Sequence, residues 1–269
     1  CGHGSPEQDE EVRHTSHQRY AHGEDGRRQM YATWAGDPDW SPIRLQLRYD
    51  NLGALTGTQS TYLQSTLMPA AQAWVQGALA VRPVIGPLLV DRQCISTWSN
   101  GVCHSVADPQ RCGGNAADPT IPAELLAEER VCTSCVGTNC DGAGSVCETL
   151  PAGAGADGYD YVLFVTAGVY SSCAGGGSTL AFASTCERDQ YDRPIMGRVN
   201  FCPSQFSTAP EDYLDQLATA IHEVAHALGF SQSSWAYFRE DDGVTPRTTR
   251  NPDGSVPVTS AGLSGSSEA

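Results

Sequence analysis

Two histidines and a glutamate lie close together in the run His222-Glu-Val-Ala-His226. Side chains four residues apart on an α-helix lie one turn above each other on the same face, so both imidazoles can reach one ion. Zinc accepts such nitrogens at about 2.0–2.1 Å. Glu223 lies about 100° round the helix from His222, where its carboxylate can take a proton from water and hand it to a leaving amine. The run predicts one Zn²⁺ per chain, with His222 and His226 as ligands and Glu223 as the catalytic acid–base.

An amphipathic helix is predicted to carry this run. Apolar residues recur at helical spacing through it, at Leu214, Leu217, Ala218, Ile221, Val224, Ala225 and Leu228. The spacing of Thr208 and Glu211 predicts a capping box, so the helix is expected to begin at Thr208. Gly229, the third residue after His226, can adopt a positive φ. We expect it to end the helix and turn the chain beneath the metal toward a later ligand.

A sheet and another long helix are predicted upstream. Period-2 alternation or short apolar runs predict strands at 43–48, 87–90, 159–166, 180–184 and 197–201. The strand at 159–166 is almost continuously apolar, which is typical of a central strand. Apolar residues at helical spacing predict a helix over 61–81, in which Pro69 either makes a kink or marks the start.

Eleven cysteines are the strongest compositional feature. Ten of them lie between Cys94 and Cys202, and seven of these fall within 94–158, among Gly, Asn, Asp and Pro. We therefore predict a loop region at 94–158 that disulfides hold together, with five bridges in all and Cys1 as the odd thiol. Such density favours an extracellular or cell-surface location. The cysteines at 132, 135, 140 and 147 could instead form a zinc knot, but disulfides are favoured.

Charge and hydropathy exclude some classes of protein. The chain has 31 acidic residues against 16 basic ones, all of them Arg, and its formal net charge is −15. Nucleic-acid binding needs a cationic face, so no nucleic-acid partner is expected. No run of about 18 apolar residues is present to span a bilayer. Residues 1–40 are polar without sustained periodicity, which is typical of a leader or pro-type segment.

The zinc run and its surroundings resemble the leishmanolysins, a branch of the metzincin zinc endopeptidases. The resemblance is carried by residues 222–231 and extends through 159–166, 179–186, 193–201, 213–217 and 235–239. It implies an α+β, zincin-like fold: a twisted mixed β-sheet with two long helices, the second carrying HExxH, plus a disulfide-rich loop region. It also implies a zinc-dependent endopeptidase acting on proteins or peptides. Residues 180–184 would be the edge strand along which a substrate lies antiparallel, with an ordinary covered strand as the alternative.

The resemblance also divides the chain. Residues 1–40 would be the end of a pro-segment, and 41–230 an N-terminal catalytic subdomain with the Cys-rich insertion 94–158. Residues 231–269 would begin the next subdomain. Cys1-Gly-His3 resembles the family's pro-segment motif, in which a cysteine thiolate occupies the open zinc position. Cys1 is therefore predicted to be a cysteine switch, with a stray or distantly paired thiol as the alternative.

One part of the family pattern is missing. A metzincin site takes its third ligand from a later histidine, and no histidine follows His226; the methionine-bearing turn is absent too. We expect a truncated chain with weak zinc affinity and little turnover on its own, and with any membrane or cell-surface association in parts beyond it. The alternative third ligand is Glu240, Asp241 or Asp242. The competing class is a non-catalytic, disulfide-rich adhesion or scaffold module with a degenerate zinc helix.

Overall fold

The computed structural model describes residues 13–15, 40–173, 179–240, 245–251 and 256–257. Its strands are β1 (Arg13–Thr15), β2 (Ser41–Pro42), β3 (Leu45–Tyr49), β4 (Ala80–Val81), β5 (Cys94–Thr97), β6 (Cys103–Val106), β7 (Glu129–Ser134), β8 (Val146–Leu150), β9 (Tyr161–Thr166), β10 (Ala181–Asp189) and β11 (Pro194–Phe201). Its α-helices are α1 (Gly57–Tyr62), α2 (Met68–Ala78) and α3 (Tyr213–Ala227). In these ranges, no helix has the length and apolar character needed to cross a bilayer.

A five-stranded sheet of order β1-β10-β11-β9-β3 forms the centre of the fold. Strands β3, β9 and β11 run parallel, whereas β10 runs antiparallel to β11, so the sheet is mixed as predicted. Strand β9 has a neighbour on each side and all six of its residues are buried, which confirms the predicted central strand. The strands predicted at 43–48, 180–184 and 197–201 are also present, with β10 extending to Asp189.

Side-chain alternation buries this sheet on both faces. One face packs under the helices and includes Tyr161, Leu163, Val165, Val199 and Phe201. The other face packs under the segment 84–156 and includes Val162, Phe164 and Met196. The central sheet therefore separates two hydrophobic cores.

The helix predicted at 61–81 is present, but it begins earlier and contains a π-helical turn. The N–H of Gln59 donates to the Thr56 hydroxyl at 3.3 Å, and the Thr56 N–H donates to the Gln59 carboxamide at 2.9 Å. This capping box starts α1 at Gly57. The π-helical turn Leu63–Leu67 joins α1 to α2. Pro69 then lies in the first turn of α2, where its missing N–H is tolerated, so it marks the start of that helix.

Two predictions in the segment 84–158 are wrong. Residues 94–158 are not a loop region, because they contain a four-stranded sheet of order β5-β6-β7-β8. These strands are short, and the β5–β6 and β7–β8 ladders contain register shifts. The sequence therefore shows little regular alternation of apolar and polar residues. The strand predicted at 87–90 is only a pair of isolated bridges, Leu88 with Ala156 and Val90 with Leu126.

Five disulfides join all ten cysteines between Cys94 and Cys202, as predicted. The pairs are Cys94–Cys103, Cys112–Cys186, Cys132–Cys147, Cys135–Cys140 and Cys173–Cys202. The cysteines at 132, 135, 140 and 147 are therefore paired in disulfides and do not form the alternative zinc knot. The Cys112–Cys186 bridge ties the Cys-rich segment to β10 of the central sheet.

Candidate metal centre

The helix α3 carries His222, Glu223 and His226 in its last turns. It begins at Tyr213 rather than at Thr208, and no capping hydrogen bond is made by the side chain of its N-cap residue. The predicted capping box is therefore wrong. A 3₁₀ turn at Pro210–Asp212 precedes the helix, and the fixed φ and missing N–H of proline suit such a tight entry.

The imidazoles of His222 and His226 converge. Their Nε2 atoms are 2.9 Å apart, and their ring centroids are 4.5 Å apart with the planes at 89°. The His222 side chain is exposed and that of His226 is half-buried. Two nitrogen ligands of a tetrahedral zinc at about 2.0–2.1 Å lie about 3.3 Å apart. The pair therefore fits a zinc ion after opening by a few tenths of an ångström.

A glycine turn at the end of α3 orients His226. Gly229 has φ +94°, and its N–H donates to the His226 carbonyl at 2.9 Å. The N–H of Phe230 donates to the Ala225 carbonyl at 3.0 Å, which completes a Schellman motif. The Phe230 carbonyl then lies 2.8 Å from Nδ1 of His226. Because a carbonyl only accepts, Nδ1 carries the proton, and the lone pair of Nε2 is available for a metal.

We expect Gly229→Ala to lower the free energy of unfolding by about 1–3 kcal/mol. Its positive φ is unfavourable for alanine, and an added Cβ would lie 2.9 Å from Cγ of Pro194. Urea unfolding with the disulfides intact measures the change. Gly77→Ala is the matched control, because Gly77 lies in α2 with nothing within 4 Å of an added Cβ. It should raise stability by about 0.5–1 kcal/mol. Equal effects of the two substitutions would contradict this account of the turn.

Glu223 points into the protein from the same helix. It is 5% exposed, and burial raises its pKa from 4.5 to about 7. A carboxyl group whose pKa is close to neutral can both accept and donate a proton near physiological pH. The chemistry predicted for Glu223 therefore has a physical basis in its burial.

Three of the residues considered for the open zinc position lie outside the described residues. Within the described ranges, no group of three His, Cys, Asp or Glu side chains is arranged to hold a metal ion. Glu240 forms an ion pair with Arg247, with 3.5 Å between its Oε2 and Nε of the arginine. Asp241, Asp242 and Cys1 lie outside the described residues. The third ligand and the cysteine switch stay predictions.

Two buried hydroxyls hold the C-terminal end of α3, and the sequence analysis missed both. The Tyr161 hydroxyl donates to the carbonyl of Ala227 at 2.6 Å, and the Thr185 hydroxyl donates to the same carbonyl at 2.8 Å. An added Cβ at Gly197 would overlap the Tyr161 hydroxyl. One signal was present in the sequence: a tyrosine within a fully buried strand needs a buried hydrogen-bond partner.

In the part of the chain that the structure describes, the outer edge of β10 is paired with another strand over only part of its length. Strand β1 pairs in parallel with Glu187–Asp189 only. Among the described residues, no strand pairs with the outer edge of 181–185. This stretch overlaps the edge strand that was expected at 180–184.

Two converging imidazoles and a buried carboxyl on one helix make α3 a candidate metal-hydrolase site, and the comparison with known proteins identifies the family. The family model described as leishmanolysin matches residues 126–265. The chain is 36% identical to the leishmanolysin-like peptidase of Caenorhabditis elegans over 221 residues, 79% of this chain and 31% of the relative. It is 34% identical to the leishmanolysin-like peptidase of Drosophila melanogaster over 221 residues, which are 80% of this chain and 31% of the relative. The chain belongs to the leishmanolysin family, which confirms the resemblance.

A relative with a different name matches less of the chain. The identity to the ciliated left-right organizer metallopeptidase of Mus musculus is 30% over 183 residues, 62% of this chain and 24% of the relative. The matched region spans about a third or less of each of these relatives. The family indicates a metallopeptidase and a protease role in general.

Proposed function

We propose that this chain is the N-terminal catalytic part of a zinc-dependent endopeptidase with a zincin-like fold. The observation that carries the proposal is the convergence of two Nε2 atoms, 2.9 Å apart, on a helix that also carries the buried Glu223. In this proposal residues 41–230 form the catalytic subdomain, with 94–158 as a disulfide-bonded insertion. Residues 1–40 end the pro-segment, and 231–269 begin the next subdomain.

His222 and His226 would hold the zinc ion through their Nε2 atoms. The hydrogen bond from Nδ1 of His226 to the Phe230 carbonyl keeps that ring in the tautomer and orientation that a ligand needs. Bound zinc would supply Lewis-acid polarisation of the scissile carbonyl and would make an attacking water more acidic. With only two ligands assigned in this chain, we expect zinc affinity to be weak until a third is supplied.

Glu223 would move the proton. Its carboxylate would accept a proton from the attacking water at one Oε atom and then deliver it to the leaving amine. In the metal-free chain, burial raises its pKa to about 7, a value from which a carboxyl can both accept and donate a proton near neutral pH.

The edge of β10 would bind the substrate backbone. An extended peptide can add to residues 181–185 through main-chain hydrogen bonds, which give affinity without demanding one side-chain sequence. Thr185 belongs to this stretch and also donates to the last carbonyl of α3. Strand β10 and helix α3 are therefore held in a fixed relative position, which would suit delivery of a scissile bond to the metal.

An extracellular or cell-surface location is part of the proposal. Five disulfides among ten cysteines support an oxidising compartment. The scaffold alternative is not favoured, because the two imidazoles converge and the relatives carry peptidase names.

The experiment that tests the metal centre is equilibrium dialysis of the chain against graded zinc, with metal content read by mass spectrometry. We expect saturation at about one zinc per chain, removal by a chelator, and loss of this binding in His222→Ala and in His226→Ala. His104→Ala is the matched control, because its Nδ1 lies 3.0 Å from the Ser96 hydroxyl in the Cys-rich sheet. Substoichiometric zinc at saturation, or equal loss in the control, would contradict the proposal.

A further inference from the structure

We propose that Tyr161 and Thr185 are positioning residues for the metal centre, because their hydroxyls together fix the carbonyl of Ala227 and through it the imidazole of His226. The inference rests on the proposed function, since it concerns the same zinc site.

The Ala227 carbonyl is a point where three elements meet. Ala227 is the last residue of α3, and carbonyls in the last turn have no partner within the helix. The Tyr161 hydroxyl comes from β9 at 2.6 Å and the Thr185 hydroxyl from β10 at 2.8 Å, so each lone pair of the carbonyl has a donor. Both side chains are buried, at 1% and 7% exposure. Burial also raises the pKa of Tyr161, which keeps its hydroxyl a donor.

The position of this carbonyl governs the ring of His226 in two ways. Ala227 follows His226 directly, so a displaced carbonyl also displaces the backbone from which that imidazole projects. Ala227 also leads into the Schellman turn, in which the Phe230 carbonyl lies 2.8 Å from Nδ1 of the ring. Helix ends fray where the last carbonyls are not held. The two hydroxyls therefore act on the backbone of His226 and on its hydrogen-bond acceptor together.

A glycine on strand β11 leaves space for the Tyr161 hydroxyl beside the Ala227 carbonyl. Gly197 lies on this strand beside the Tyr161 hydroxyl, and an added Cβ would overlap that hydroxyl and lie 3.3 Å from Cβ of Ala227. A side chain at Gly197 would therefore displace the tyrosine from the carbonyl.

The test compares Tyr161→Phe, Thr185→Val and the double variant with matched controls. Tyr170→Phe and Thr166→Val also remove hydroxyls with internal hydrogen bonds, to the Ala117 carbonyl at 2.9 Å and to Oδ1 of Asn200 at 2.8 Å. Zinc affinity is measured by competition with a chromophoric chelator, and urea unfolding measures stability. We expect about tenfold weaker zinc binding in each single variant, in line with lost support of a metal-ligating histidine, and a larger loss in the double variant. The controls should bind zinc like the unaltered chain.

Two further readouts separate positioning from stability. Cobalt substituted for zinc reports ligand geometry through its visible absorption, and the spectrum should change in Tyr161→Phe and Thr185→Val but not in the controls. In the metal-free chain, the NMR signal of the proton on Nδ1 of His226 should weaken in the same two variants, because its bond to the Phe230 carbonyl loosens.

The outcomes distinguish this inference from the function on which it rests. An unaltered chain that binds no zinc would overturn the proposed function and the positioning role with it. An unaltered chain that binds zinc, with equal affinity and cobalt spectrum in all the variants, would overturn the positioning role alone. Controls that lose zinc affinity as much as Tyr161→Phe and Thr185→Val would also overturn it, by showing that general stability sets affinity.

Discussion

Glu223→Gln in the full-length gene product should lower kcat/KM for peptide hydrolysis by about 10²–10⁴-fold, the usual contribution of a positioned general acid–base. The carboxamide has nearly the same shape as the carboxyl, and the side chain is only 5% exposed, so the packing around it should be preserved. It cannot accept the proton of an attacking water or return one to the leaving amine. Steady-state assays on a fluorogenic peptide, with and without a chelator, measure the change. Unchanged hydrolysis would refute the catalytic assignment.

Zinc content must be measured beside activity in this experiment. We expect Glu223→Gln to retain the zinc of the unaltered protein, since neither of the two assigned ligands is touched. Glu240→Gln is the matched control: it makes the same chemical change at a residue whose carboxylate pairs with Arg247. Activity and zinc content should stay the same in this variant. Loss of zinc from Glu240→Gln would instead identify Glu240 as the third ligand.

Helix α3 and the convergence of its two histidines could be predicted because their geometry is local. Two histidines four residues apart on a helix must lie on one face, and Gly229 had to supply a positive φ for the helix to end where it does. The continuous apolar run of β9 likewise predicted a buried strand, and all six residues are buried. In each case the pattern and the structural consequence lie within a few residues of each other.

The hydrogen bonds that hold the end of α3 were not predicted, because they depend on long-range contacts. The hydrogen bonds from Tyr161 and Thr185 to Ala227 span 66 and 42 residues, and no spacing rule links such positions. The start of α3 was predicted wrongly for a local reason: the spacing of Thr208 and Glu211 suits a capping box, but the chain enters the helix through a 3₁₀ turn. The Cys-rich sheet was missed because its strands are short and irregular.

The second large effect is expected at Asp118, whose carboxylate forms a buried ion pair with Arg198. The two side chains are 0% and 6% exposed. Nε of Arg198 also donates to the Ser184 hydroxyl on β10 at 3.1 Å. The pair therefore joins the Cys-rich segment to the strand proposed to bind substrate. Asp118→Ala removes the carboxylate from a buried guanidinium, which should lower the free energy of unfolding by about 3–5 kcal/mol.

Two comparisons show whether burial of the charge is the cause. Glu124→Ala breaks an exposed pair with Arg48, in which the side chains are 54% and 30% exposed, and should cost less than about 1 kcal/mol. Asp118→Leu combined with Arg198→Met removes both buried charges and should recover most of the loss, because the penalty comes from a charge left without its partner. Urea unfolding with intact disulfides measures all three variants. An Asp118→Ala loss no larger than that of Glu124→Ala would mean that the Cys112–Cys186 bridge and the apolar packing hold the Cys-rich segment on the sheet without help from the ion pair.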